Sequence, residues 1–264
     1  MIGSFMNLHP VYQGLLATLF TYGITMLGAS LVFFFKTVDQ RLMDVMMGFA
    51  AGVMIAASYW SLLDPAIVLS EQLGKNAAGN AAVGLLAGTA FIIISDLCMS
   101  KKQACKERGE GWIRCVLLTT AVTMHNIPEG LAVGVAFGCA AIEGSEASII
   151  GAVMLAVGIG IQNFPEGTCV AMPLRREGLS RGKSFLIGQF SGMVEPVAGV
   201  LGALFAIKVQ SALPFVLSFS AGAMISVVCS ELIPESFKDN KQLATIGVMI
   251  GFVAMMVLDV ALSC

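Results

Sequence analysis

This sequence predicts an all-α membrane protein, a single domain over residues 1–264 with eight transmembrane helices. Three observations carry that prediction. The chain is 57% hydrophobic and only 12% charged, against about 25% charged for a soluble domain. Its mean hydropathy is +0.86. Apolar runs near the roughly 20 residues that cross a bilayer as a helix follow one another at 11–35, 43–63, 77–99, 113–138, 147–174, 184–206, 213–236 and 243–262. The connections are short and leave no room for a soluble domain. The runs do not alternate as the strands of a membrane barrel would.

Taken in order, the first run is too long for a signal peptide and lacks a basic lead-in, so it is expected to stay in the mature protein. The second follows Lys36 and Arg41 and contains GFAAGVMIAASYWSLL over 48–63. The third carries Gly84 and Gly88 and, near one end, Asp96; the basic segment 100–112 follows as a loop. The fourth holds MHNIPEGLAVG (124–134), with Gly130, Gly134 and Gly138 in steps of four, and the fifth holds IQNFPEG (161–167). The sixth places Glu195 before Pro196. The seventh reads SFSAGAMISVVCSELI over 218–233 and carries Glu231 and Glu235. The eighth has Gly247, Gly251 and Asp259, an acid that the pattern leaves unexplained. Small residues four apart let helix backbones approach closely, and these glycines are expected to serve packing.

The basic residues set the orientation. Of 15 Lys and Arg, 13 fall in or beside the connections after helices 1, 3, 5 and 7, and Lys75 and Lys208 alone lie on the opposite side. Both termini are therefore expected to be extracytoplasmic, in a multi-pass protein of the plasma or inner cell membrane, with 100–112 in the cytosol. The seven cysteines are odd in number and scattered, and Cys98, Cys105 and Cys115 sit near that cytosolic loop. Thiols stay reduced there, so no disulfides are expected. The net charge is −2; the acids lie in the membrane and the bases on one rim. No nucleic-acid partner is expected.

Two internal repeats emerge. N-x-P-E-G occurs on helices 4 and 5. GFAAGVMIAASYWSLL on helix 2 aligns with SFSAGAMISVVCSELI on helix 7, with Phe49/Phe219, Gly52/Gly222 and Met54/Met224 among the matches. Helices 2 and 7 run in opposite directions under the expected topology. The pattern is an inverted repeat, helices 1–3 against 6–8 around a central helix 4/5 pair. Secondary transporters are built this way, with sites near the midplane on interrupted helices.

Glu129, Glu166 and Glu195 fall mid-helix, and apart from Arg114 at one rim those spans hold no Lys or Arg to pair them. A charge at the bilayer centre costs at least ~2.5–3.5 kcal/mol and marks function by default. Protons or a bound cation must neutralise them. His125 and Glu129 are four apart and share a helix face, as do Gln162 and Glu166. Asn126 and Asn163 each precede the glutamate by three. One imidazole, several carboxylates and several amide oxygens suit a borderline divalent ion, and the lack of thiols argues against Cu(I). Pro128 and Pro165 would release the carbonyls of Met124 and Ile161 as further oxygen ligands or a hinge. One divalent ion against three carboxylates leaves −1; two leave +1. Asp96, Glu231 and Glu235 mark a possible cytosolic path, and Asp64 and Glu71 could attract cations outside. Cys169, three residues after Glu166, is read as packing. A calcium-type cation antiporter also combines inverted repeats with acids beside kinked helices, but would use a hard oxygen cage, which His125 argues against. An enzyme is not expected: HExxH is absent, and no span holds a serine in a GxSxG pattern.

HNIPEG and QNFPEG resemble the paired signature of the ZIP (Zrt/Irt-like) family of divalent metal transporters. SGMVEP, with Glu195, and GAMISVVCSELIPE are similar to its prokaryotic, GufA-like branch, from about residue 40 onward. The resemblance implies import of zinc into the cytosol, with Fe2+, Mn2+, Co2+ or Cd2+ as related substrates, and no catalytic cofactor. It implies a binuclear site: His125, Glu129, Gln162 and Glu166 at one position, and Asn126, Asn163 and Glu195 with the bridging Glu129 and Glu166 at the other. It further implies an elevator of helices 1, 4, 5 and 6 against a scaffold of 2, 3, 7 and 8, in a homodimer. The chain departs from some relatives at Asn163, where they carry aspartate, and at Ser230, where they carry histidine. With only His9 and His125, it also has no histidine-rich loop.

Overall fold

Each apolar run closes into a helix, and the computed structural model shows where those helices begin and end. It describes residues 5, 7–35, 39–102, 110–143 and 146–262, and among them every regular element is helical. Helix α1 is Pro10–Phe34, with Pro10 in the first turn and the His9 ring accepting from the Val11 amide. Helix α2 is Gln40–Gln72, opened by the Asp39 carboxylate accepting from the Arg41 amide at 2.9 Å. Then come α3 (Ala77–Lys102), α4 (Glu110–Glu143), α5 (Glu146–Arg176), α6 (Arg181–Lys208), α7 (Leu213–Ser236) and α8 (Lys241–Leu262). Among the described residues, seven of these contain stretches long and apolar enough to cross a membrane, and Asn126–Ile142 of α4 is a shorter apolar helix.

Several boundaries differ from expectation. Helix α2 runs past 63 to Gln72, because a π-helical turn over Ser58–Leu63 is followed by a restart at Asp64-Pro65. The basic connection after α3 is shorter than 100–112: helix reaches Lys102 and resumes at Glu110, and residues 103–109 lie outside the described residues. Pro128 and Pro165 do not interrupt their helices. A break falls in α6, where Met193 separates Arg181–Gly192 from Val194–Lys208.

Close backbone contacts pair the helices. In α2, Gly48 and Gly52 face the carbonyls of Ala244 and Val248 in α8, while Gly247 and Gly251 face Val45 and Phe49 in return. Helix α3 meets α7 in the same way, Gly88 against the Phe219 carbonyl and Gly222 against that of Leu85. Helix α4 lies on α6 through Gly130, Gly134 and Gly138, and α5 lies on α1 through Gly167 and Gly28. These pairs obey the inverted repeat. Exchanging 1 with 6, 2 with 7, 3 with 8 and 4 with 5 turns α2–α8 into α7–α3, and α4–α6 into α5–α1. The π-turns Ser58–Leu63 and Val228–Leu232 agree, since they begin at positions that the α2/α7 alignment makes equivalent. Helices 1, 4, 5 and 6 thus form one group and 2, 3, 7 and 8 another, and the two meet mainly through α2–α5 and α4–α7.

The glycines of α4 do more than fill space. A Cβ on Gly130 would stand 2.7 Å from the Glu195 Cα, so this glycine brings Glu195 beside Glu129. Gly134→Val forces its side chain into the Gly199 carbonyl and is expected to lower stability by about 1–3 kcal/mol. Gly23→Ala, with open space around it, is expected to be neutral or slightly stabilising. Thermal unfolding of the two purified variants in one detergent checks the contrast.

Candidate metal site

Local sequence explains how the polar groups reach one level of the bundle. The i, i+3 and i+4 spacings put Asn126 and Glu129 on one stripe of α4, and Gln162, Asn163 and Glu166 on one stripe of α5. The α4–α6 contact adds Glu195, in the first turn after the α6 break. That position faces the partial positive charge of a helix N-terminus. All six are buried: Glu166 is 2% exposed and the other five are fully enclosed.

Their hydrogen bonds divide in two. The Gln162 amide donates to Glu129 Oε1. Asn163 donates to Glu195 Oε1 at 2.9 Å and to the Thr21 carbonyl at 3.2 Å. Thr21 donates its hydroxyl to Glu195 Oε2, and the Thr25 side chain also bonds that carboxylate. Asn126 donates to the Ser191 carbonyl at 2.9 Å. Glu129 lies within electrostatic reach of both Glu166 and Glu195. Three carboxylates thus share one enclosed region, and the stretches 115–174 and 184–207 that carry them contain no Lys or Arg.

Within this cluster of Asn126, Glu129, Gln162 and Asn163, each residue keeps one buried oxygen with no hydrogen-bond partner among the described residues: Asn126 Oδ1, Glu129 Oε2, Gln162 Oε1 and Asn163 Oδ1. A buried polar atom left so costs roughly 1–3 kcal/mol. All four are acceptors. In each amide the NH2 end is engaged and the oxygen is left available, which is the end that ligates a cation. Among the described residues no three His, Cys, Asp or Glu side chains converge at metal-binding spacing. The donor set here is instead mixed, carboxylates alternating with the amides that hold them.

The backbone of His125 is in α4, one turn before Glu129, but its side chain and that of Asp96 lie outside the described residues. Glu231 is half-buried in the π-turn of α7. Glu235 pairs with Lys238 at 2.7 Å with its side chain 40% exposed, an arrangement worth little in solvent. Asp64 and Glu71 are exposed, and Cys169 is packed in the core. Cys139, Cys169 and Cys229 are free thiols. Asp259 acquires a partner: Ser61 Oγ, in the π-turn of α2, donates to it at 2.7 Å. Both line a cavity of about 300 Å³ with Trp60, Ala136, Leu155 and Leu217. Its floor at Ala136 is about 10 Å along α4 from Glu129.

The sequence reading missed Thr21, Thr25 and Ser191. The signal lay in the α2/α7 alignment: carried back along the chain in the same register, it relates Thr21 to Ser191 and Thr25 to Glu195. The two N-x-P-E-G asparagines bond carbonyls at those related positions, Asn163 to Thr21 and Asn126 to Ser191.

Comparison with known proteins decides the family. The model of the ZIP zinc transporter family matches residues 95–259. The chain is 38% identical to zinc transporter ZIP11 of Xenopus tropicalis, covering 96% of this chain and 98% of that protein. It is 37% identical to zinc transporter GufA of Myxococcus xanthus, over 95% of this chain and 99% of that one. Zinc transporter ZIPB of Bordetella bronchiseptica is 34% identical, over 92% and 79%.

The chain belongs to the ZIP zinc transporter family. A ZIP chain is a membrane transporter rather than an enzyme, so a metal on these residues is cargo and not a catalytic cofactor. Family membership leaves the cation-antiporter alternative without support. For this ZIP chain, the crowding of three acids implies a stability cost. Glu129→Gln is expected to stabilise the protein in metal-free buffer by about 1–2 kcal/mol, as relieving a strained functional site commonly does. Thermal unfolding in chelator, beside the parent, measures it.

Proposed function

We propose that this protein carries divalent transition-metal ions, zinc foremost, into the cytosol on a mid-membrane site made by His125, Glu129, Gln162 and Glu166, with Asn126, Asn163 and Glu195 alongside. The observation that supports this most is the enclosed oxygen that each of Asn126, Glu129, Gln162 and Asn163 keeps without a hydrogen-bond donor among the described residues, next to three acids in the stretches 115–174 and 184–207, which hold no Lys or Arg. A divalent ion meets both demands. Fe2+, Mn2+, Co2+ and Cd2+ suit the same mixed nitrogen and oxygen donors. The relatives reported above are named zinc transporters, which supports zinc first.

The grouping of helices 1, 4, 5 and 6 apart from 2, 3, 7 and 8 supports an elevator, in which the site-bearing group slides on the other. The cavity at Asp259 lies at the end that the basic residues assign to the outside, and we read it as the outer approach. Glu231 and Glu235, with Asp96, are the proposed inner path. We place the protein in the plasma or inner membrane as a homodimer with both termini extracytoplasmic. Terminal tags on intact cells should be reached by impermeant antibody; protection of either tag would reverse the orientation.

Zinc uptake into proteoliposomes tests the site. Glu166→Ala should reduce the rate at least tenfold, because the carboxylate is lost and the surrounding oxygens remain. Parental uptake by that variant would remove Glu166 from the site.

A further inference from the structure

The acid that breaks the two-fold pattern is held at both of its carboxylate oxygens. Glu195 has no acidic counterpart in the other half of the repeat, where Thr25 stands. Its Oε1 accepts from Asn163 at 2.9 Å, and its Oε2 from Thr21. The Thr25 side chain lies against the same carboxylate, with its hydroxyl shared with the Thr21 carbonyl at 3.3 Å. Thr21 also presents its carbonyl to Asn163 at 3.2 Å, so Thr21, Asn163 and Glu195 close a triangle across α1, α5 and α6. Glu195 further lies in the first turn of the helix that begins at Val194, where the helix dipole favours a negative charge. Close packing sets the geometry: a Cβ on Gly199 would come 2.8 Å from Thr18 Oγ1, and one on Gly192 would come 3.0 Å from Thr25 Oγ1. Glu129 is different. One of its oxygens is bonded by Gln162 and the other has no partner among the described residues.

We propose that Thr21 and Thr25 are positioning residues that, with Asn163, hold both oxygens of Glu195, so that the site carries one metal ion and Glu195 acts on it as a fixed negative neighbour rather than as a ligand. The charges agree. With Glu195 held by neutral donors and a helix N-terminus, Glu129 and Glu166 supply −2, which one divalent ion balances. An aspartate at position 163 would lose the NH2 that holds Glu195 and add a charge that a second ion could satisfy. The inference rests on the site reading proposed above.

The test counts zinc per chain by equilibrium dialysis of the purified protein and follows zinc uptake in proteoliposomes. The parent should bind one ion per chain; two would overturn the proposal whatever the variants do. Thr21→Val with Thr25→Val keeps the side-chain shape and removes both hydroxyls. It should lower the maximal uptake rate about tenfold, change the half-saturating zinc less than threefold, and raise the zinc count towards two as Glu195 is released. The paired Thr→Ser variant should restore one ion and a rate within twofold of the parent. Parental uptake and an unchanged count in the valine variant would refute the positioning role. If the double valine variant does not fold, the single Thr21→Val and Thr25→Val variants carry the same test, and parental uptake with an unchanged count in both would refute the positioning role. Glu166→Gln separates the two levels: if it abolishes zinc binding while the threonine variants behave as the parent, the site stands and this inference fails.

Discussion

Three carboxylates must be kept in an apolar bundle whose spans at that level offer no basic side chain to pair them. Much of the structure near Glu129, Glu166 and Glu195 is the consequence. Neutral donors take the place of cations: Gln162 on Glu129, and Asn163, Thr21 and Thr25 on Glu195. The glycine contacts of α4 on α6, and of α5 on α1, hold the four helices close enough for these donors to cross between them. The close packing and the buried charge are thus one feature. Lengthening the helix separation would undo the hydrogen bonds before it emptied the core.

The inverted repeat supplies this geometry twice and then departs from itself. Both asparagines anchor on carbonyls at equivalent positions, and both scaffold pairs are stitched by glycines at equivalent positions. Chemistry enters where equivalence fails, with His125 against Gln162 and Glu195 against Thr25. A symmetric backbone can present itself alike to the two faces of a membrane, while side chains that differ between the halves make the polar level of the bundle asymmetric. The break at Met193 belongs to the same logic, because it sets a helix N-terminus beneath the unmatched acid.

Most of the site was legible from residues alone. A glutamate in an apolar helix is expensive enough that it announces itself, and its repetition with an asparagine three residues before leaves few alternatives. Hydroxyls are quieter. A threonine in a membrane helix costs little and usually bonds its own backbone, as Thr18 does to the Gly14 carbonyl at 2.8 Å. Nothing local distinguishes Thr21, whose hydroxyl crosses to Glu195, from Thr18, whose hydroxyl stays on its own helix. Pro128 and Pro165 pointed to released carbonyls or a hinge, and α4 and α5 run through both without a break.

By itself the sequence determined the helical membrane class, the positions of the spans, the repeat and the six buried polar residues of α4, α5 and α6, because each follows from the cost of moving side chains out of water. The tertiary structure decided which helices pair, where α6 breaks, that π-turns fall at matched points of α2 and α7, and that Asp259 meets Ser61. It also decided which carboxylate is held by hydroxyls and which keeps an oxygen open. Those outcomes depend on distances between segments that lie far apart in the chain, and the closeness of two backbones at a glycine contact sets them.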